Sequence, residues 1–154
     1  MKRMLCTLLS MLLAAVVLVS CGSKAQAELP ELNGKPGLSV EIVTMESTWL
    51  KKTVTVRLTN RTEEKILYGK TYQLLRYDGT SWESATETPS IWERSFPAVA
   101  YVLKAGESTE ITFTLTSRFF VDMKKPYCLT MEFFEEKGTE EYQCGVLLEP
   151  GAWE

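Results

Sequence analysis

The 154-residue chain contains no histidine. That absence removes the side chain most used as a general base near neutral pH and the commonest metal ligand. It also excludes Ser-His and Cys-His nucleophilic pairs. Aspartate is scarce, with Asp78 and Asp122 its two occurrences, so paired carboxylates for glycoside hydrolysis would have to be glutamates. Cations are in no surplus: 17 Lys+Arg stand against 20 Asp+Glu, a net charge of -3, which leaves no electrostatic footing for nucleic acid. Past Leu38 no stretch of ten or more residues keeps a helical period, and no internal repeat or low-complexity tract is visible. What is there is the composition of one globular domain, 45% hydrophobic, 24% charged and 10% aromatic. These absences point away from an enzyme, and no cofactor or metal is expected.

The amino-terminal segment carries the clearest pattern. Lys2 and Arg3 precede an apolar run from Met4 to Val19, interrupted only by Thr7 and Ser10, after which Ser20, Cys21, Gly22 and Ser23 are small. This is a signal-peptide layout. As a helix the run spans roughly 24 Å at about 1.5 Å per residue, short of an about 30 Å hydrocarbon core. Leu18-Val19-Ser20-Cys21 resembles the lipobox of bacterial lipoproteins. The resemblance implies that residues 1–20 are a signal cleaved before Cys21 and that the Cys21 thiol receives a diacylglyceryl group. It further implies an acylated new amino terminus, held at the extracytoplasmic face of the cell membrane. Two or more acyl chains are what stable anchoring requires.

Loss of Lys2 and Arg3 leaves 15 basic and 20 acidic side chains, a balance of -5. Anionic headgroups are then expected to repel the chain, and attachment to come from the lipid without a polybasic patch. Residues 21–37 follow as the lipidated end and a flexible tether, GSKAQAELPELNGKPG from Gly22 to Gly37 having no hydrophobic period.

From 38 to 154 the apolar spacing is mostly two. Leu38, Val40 and Ile42 alternate with polar neighbours, and Val54, Val56 and Leu58 do so more cleanly. Ile66 to Tyr77 is aromatic-rich and broken by Gly69, which marks a bulge or a bend between two strands. Asp78-Gly79 reads as a tight hairpin turn with positive φ, returning through Trp82. Thr86 to Pro97 reads as an ordered excursion crossing between sheets. Val99–Leu103 and Thr109–Leu115 follow around Lys104-Ala105-Gly106-Glu107, with Ile111, Phe113 and Leu115 inward. Tyr127–Glu135 and Glu141–Leu148 form a terminal hairpin. Short strands at roughly ten-residue intervals predict an all-β antiparallel sandwich of about 7–9 strands.

The succession TVTVRLTN, Tyr68-Gly69 with Tyr72-Gln73-Leu74, a hairpin into Trp82-Glu83, Leu103-Lys104-Ala105-Gly106-Glu107 and a threonine-rich strand resembles the bacterial immunoglobulin-like domain. That domain occurs in small lipoproteins and envelope proteins of Gram-positive bacteria. The resemblance covers about 110 residues and its motifs serve packing and turns. It implies an exported Ig-like sandwich whose motifs are not catalytic and whose role is left undefined; the reading expected here is a protein-interaction or accessory role at the envelope.

Three groups of side chains are candidates for chemistry or binding. Cys128 and Cys144 lie on the two strands of the terminal hairpin, and export permits a disulfide. With the hairpin centred between Lys137 and Gly138, Cys128 faces Leu147 and Cys144 faces Met131, which sets the sulfurs out of register and on opposite sheet faces. A bridge needs Cα atoms within about 7 Å; a bridge and two buried free thiols both stay open. Trp92, Phe96 and Tyr101 form a candidate contact patch for cell-wall glycan or another small ligand, the alternative to a protein partner. Trp82 is expected in the core, between sheets, and Trp153 over a sheet edge. Glu135, Glu136, Glu140 and Glu141 are expected to keep the hairpin tip solvated, a weak calcium site being the lesser reading.

Overall fold

In the computed structural model, which describes residues 27–88 and 99–153, the alternating pattern becomes nine antiparallel strands in two facing sheets. The smaller sheet has the order β1 (Leu38–Ser47), β2 (Lys52–Asn60), β7 (Ser108–Thr114). β2 sits in its middle because Val54, Val56 and Leu58 are fully buried on its inner side, each contributing about 1.5–3 kcal/mol. β1 carries a bulge at Val43, between Ile42↔Val56 and Thr44↔Thr55.

The larger sheet is built around β8 (Tyr127–Glu135). β9 (Glu141–Leu148) runs along one side of it. On the other side β4 (Gln73–Tyr77) pairs with its first half and β3 (Ile66–Tyr68) with its second. Between them the pairing slips by two residues, from Tyr68↔Phe133 to Gln73↔Thr130. Residues 69–72 are therefore the interruption expected at Gly69. β5 (Trp82–Ser84) flanks β4 and β6 (Tyr101–Leu103) flanks β3. Tyr127, Leu129, Met131 and Phe133 point inward from β8 and are buried with Leu74, Ile66 and Leu148. A 3-10 turn, Leu115–Ser117, follows β7, and among the described residues no helix is long and apolar enough to cross a membrane.

Several local expectations are corrected. The Asp78–Ser81 turn spans four residues between Tyr77 and Trp82, with positive φ at Gly79 alone. The Asp78 carboxylate accepts the amides of Thr80 and Ser81 at 2.7 and 2.8 Å, and this local bonding replaces the two-residue turn. The strands on either side of the Thr86–Pro97 excursion, β5 and β6, belong to the same larger sheet and not to two sheets; residues 89–98 themselves lie outside the described residues. The chain passes between the sheets at the β2–β3 connection, at Lys104–Glu107 from β6 to β7, and again from β7 to β8. Trp82 is not core: it sits half-buried on the edge strand β5, tilted against Tyr77 at 5.2 Å. Trp153 packs against the core.

The tether reading fails for residues 27–37. Ala27 is buried, the Trp82 indole donates to the Glu28 carbonyl at 3.0 Å, and Gln143 N–H donates to the Asn33 carbonyl at 2.9 Å. This segment is a strap. It starts beside β5, crosses the outer face of the larger sheet with Leu32 above Cys128 and Gly145, and covers the outer edge of β9 before entering β1. A backbone edge left bare would be a template for pairing with other chains. The expected signal helix and Cys21 lie outside the described residues.

Candidate functional site

The two sheets close against each other on one side, where β1 meets β9 and the Cys144 thiol reaches the Leu38 carbonyl at 3.9 Å. They diverge on the other. There β6 and β7 are the outermost strands of their sheets among the described residues, and a cleft of about 190 Å³ opens between them. β6 supplies Tyr101 and the approach to it, two residues earlier, Val99; β7 supplies Ile111 and Phe113; the 69–72 interruption supplies Lys70 and Tyr72.

Each wall has a local cause. Tyr68 and Tyr101 are paired across β3 and β6 and stack at 5.5 Å, and the Lys70 ammonium lies 5.3 Å from the Tyr101 ring centre. Tyr72 is turned inward against Phe113 and Phe119 at 4.6 and 5.8 Å. Burial pushes its hydroxyl up to about 12, opposed by Arg118, so it stays a neutral donor, to the Thr114 carbonyl at 3.4 Å. Tyr101 is 36% exposed, and Val99 and Val102 beside it are exposed as well. The volume is below the about 300–1,000 Å³ of sites for drug-sized ligands and suits one or two side chains.

Of the expected contact patch, Tyr101 lines this cleft, whereas Trp92 and Phe96 lie outside the described residues. Cys128 and Cys144 are free and buried. Their strands pair as expected, Cys128↔Leu147 and Cys144↔Met131, with Cys128 under the strap on the outer face and Cys144 in the core. The sheet itself separates the sulfurs, so no bridge forms. Burial raises the Cys144 thiol and pushes the Cys128 thiol up to about 12, which leaves neither as a thiolate nucleophile.

The glutamates of the terminal hairpin are not simply solvated. Glu135 receives the Lys35 ammonium and the Tyr142 hydroxyl, the latter at 2.8 Å, while Lys35 also pairs with Glu64 at 2.8 Å. These bonds hold the Glu135 carboxyl below its ordinary value and raise the Lys35 ammonium. The Glu140 carboxylate lies against the same Tyr142 hydroxyl, whose one proton the two glutamates share, and Glu136 pairs with Lys65 at 3.3 Å. Among the described residues no group of three acidic, Cys or His side chains is placed to hold a metal.

One residue the pattern left unremarked joins the sheets. Asn60, fully buried at the end of β2, donates to the Glu64 and Leu103 carbonyls at 2.7 and 3.0 Å and accepts from the Thr62 amide and hydroxyl at 3.0 and 2.7 Å. Its own backbone pairs with Gly106 and Glu107. The only signal in the sequence is a polar residue closing an apolar alternation.

No curated protein matches this chain. Among solved structures, the X-ray structure of the Northeast Structural Genomics Consortium target SoR45 is similar over 74% of this chain and 85% of its own, at 13% identity and a TM-score of 0.35. The ASH / PapD-like domain of human CEP192 is similar over 79% of this chain and 92% of its own, at 11% identity and a TM-score of 0.35. A family model, the bacterial Ig-like domain, matches residues 34–125, from just before β1 to beyond β7. The match covers more than half of the sequence, and the chain belongs to the bacterial Ig-like domain family.

Proposed function

We propose that this protein is a lipid-anchored, extracytoplasmic Ig-like module that binds a protein partner and performs no catalysis. The observation that carries the reading is the cleft between two strand edges, β6 and β7, lined by exposed Val99 and Tyr101. Unpaired strand edges offer backbone donors and acceptors to an added segment, and a small apolar cleft beside them takes its side chains. Attachment rests on the lipobox Leu18-Val19-Ser20-Cys21 behind Lys2 and Arg3.

A photocrosslinking residue at Val102 or Thr112 in the membrane-bound chain should join a protein of one defined mass, and the same residue at Glu41 on β1 should not. Equal crosslinking at all three positions would refute the edge as the contact. Glycan binding is the second reading, favoured by the half-exposed Tyr101 ring. Sedimentation with purified peptidoglycan that is lost in Tyr101→Ala would establish it in place of the protein partner. The anchor is tested apart from both: Cys21→Ser should abolish fatty-acid labelling, and labelling that persists would refute the lipobox.

A further inference from the structure

Two loops of the smaller sheet's side carry exposed apolar groups. At the β1–β2 tip, Trp49 is 90% and Leu50 66% exposed; in the connection to β8, Phe120 is 58% and Met123 40% exposed. The same loops hold Lys51, Lys124 and Lys125, Lys52 opens β2 beside them, and among the described residues none of these lysines is in an ion pair. Arg118 pairs with Glu87. Asp122 is the one acid within them, and its carboxylate accepts the Lys124 amide at 3.0 Å.

Strand register puts both loops at one end of the sandwich. The tip follows the pair Ser47↔Lys52, and β7 ends at Thr114 opposite Thr53, so the chain leaves β7 beside the tip. Two contacts join them there: Lys52 N–H to Thr116 Oγ1 at 3.2 Å and Ser47 Oγ to Met123 Sδ at 3.0 Å. The connection enters β8 at the end where Tyr77 N–H meets the Pro126 carbonyl at 3.0 Å, which is also the end of the Tyr77↔Trp82 turn. Trp82 in turn binds Glu28. The described chain therefore begins at the same end. Only five residues lie between Cys21 and Ala27, and the six steps span at most about 20 Å of chain.

We infer that this end docks on the surface of an anionic lipid bilayer, with Trp49 and Leu50 entering the headgroup region and Lys51, Lys52, Lys124 and Lys125 facing lipid phosphates. The inference deepens the anchored reading and rests on it for the short leash. A balance of -5 is a sum over the whole molecule and says nothing of where the charges sit. Tryptophan favours the interface of bilayer and water, and lysine stems lie along apolar surface while the ammonium stays wet. Each lysine near an anionic surface favours docking by about fivefold at low salt, an effect that fades within a Debye length. The acids of this end are Glu46 on β1 beside the tip, Asp122, whose carboxylate holds the Lys124 amide, Glu87, paired with Arg118, and Glu28, Asp78 and Glu149 on the strap and the larger sheet. Because Trp49, Leu50, Lys51 and Lys52 all sit at the β1–β2 tip, the docked domain leans with that tip toward the membrane, leaving the β6–β7 cleft free along the side.

The test uses the full chain purified from membranes and reconstituted into vesicles containing brominated phosphatidylcholine, with or without phosphatidylglycerol. The Trp49 contribution is obtained by subtracting the Trp49→Phe variant. Bromolipid should quench Trp49 emission in the phosphatidylglycerol vesicles. Joint Lys→Gln substitution at 51, 52, 124 and 125 should reduce the docked-to-undocked ratio at least about tenfold, as should about 0.5 M salt. Trp49 left unquenched, or quenched equally with and without phosphatidylglycerol, would overturn the inference and leave the tip to a protein partner. The mass of the acyl group on Cys21 is measured on the same sample, so failure of the anchor and failure of docking are read separately.

Discussion

Replacing Asn60 by alanine removes four hydrogen bonds at a fully buried position and leaves their partners behind. The partners are not equivalent. The bond to the Leu103 carbonyl is buried, whereas those to Thr62 and Glu64 are partly open to water. A buried acceptor left unpaired costs about 1–3 kcal/mol, and a pair that water can replace nets about 0.5–1.5 kcal/mol. One buried acceptor and three such pairs sum to about 2.5–7.5 kcal/mol, so a loss of at least about 2.5 kcal/mol is expected, roughly 10 °C or more in Tm for a domain of this size. Urea denaturation followed by tryptophan fluorescence should show a lower midpoint with an unchanged slope, the signature of lost stability in an unchanged fold. Asn60→Asp should be no better near neutral pH, because a carboxylate keeps the acceptor toward Thr62 but has no N–H for Leu103. A loss below about 1 kcal/mol in Asn60→Ala, at equal slope, would refute the claim that this side chain ties the sheets together.

Other outcomes follow from the strap and its surroundings. A Cβ at Gly145 would stand 2.8 Å from Leu32 Cδ1 and 3.1 Å from both Cys128 Sγ and the Leu129 carbonyl. Gly145→Ala should therefore destabilise by about 1–3 kcal/mol and speed proteolysis within residues 27–35, read by mass spectrometry of limited digests. Cys128 and Cys144 should both react with a maleimide in denaturant without reductant and resist it in the native state; fast native labelling of Cys128 would show that the strap does not cover it. The Glu135 carboxyl is held low chiefly by Lys35 and then by Tyr142. A depressed acid contributes stability present above its unfolded value, near 4.3, and lost as pH falls through its folded value. Glu135→Gln should accordingly flatten the acid limb of the stability profile below about pH 4, and an unchanged limb would rule that contribution out.

The fold class was legible because alternation with period two is a local property. Val54, Val56 and Leu58, and Ile111, Phe113 and Leu115, are buried as their spacing indicates. The terminal hairpin was legible to the register, since a short turn fixes which residues face each other; that register alone put the two sulfurs on opposite faces. Trp82 was misjudged because spacing gives a side chain's face and not which face is covered, and β5 is an edge strand.

By itself the sequence determined the strands, the hairpin register, the want of histidine chemistry and the lipobox resemblance, all of which depend on neighbours in the chain. The tertiary structure decided what depends on distant pairing. It turned residues 27–37 from tether to strap, because Glu28 and Asn33 find Trp82 and Gln143 far along the chain. It placed the divergence of the sheets at β6 and β7, because burial of Tyr72 and Phe113 is shared between elements 41 residues apart in number. It also gathered four lysines and Trp49 from two remote stretches of chain at one end, a juxtaposition that no count of charges contains.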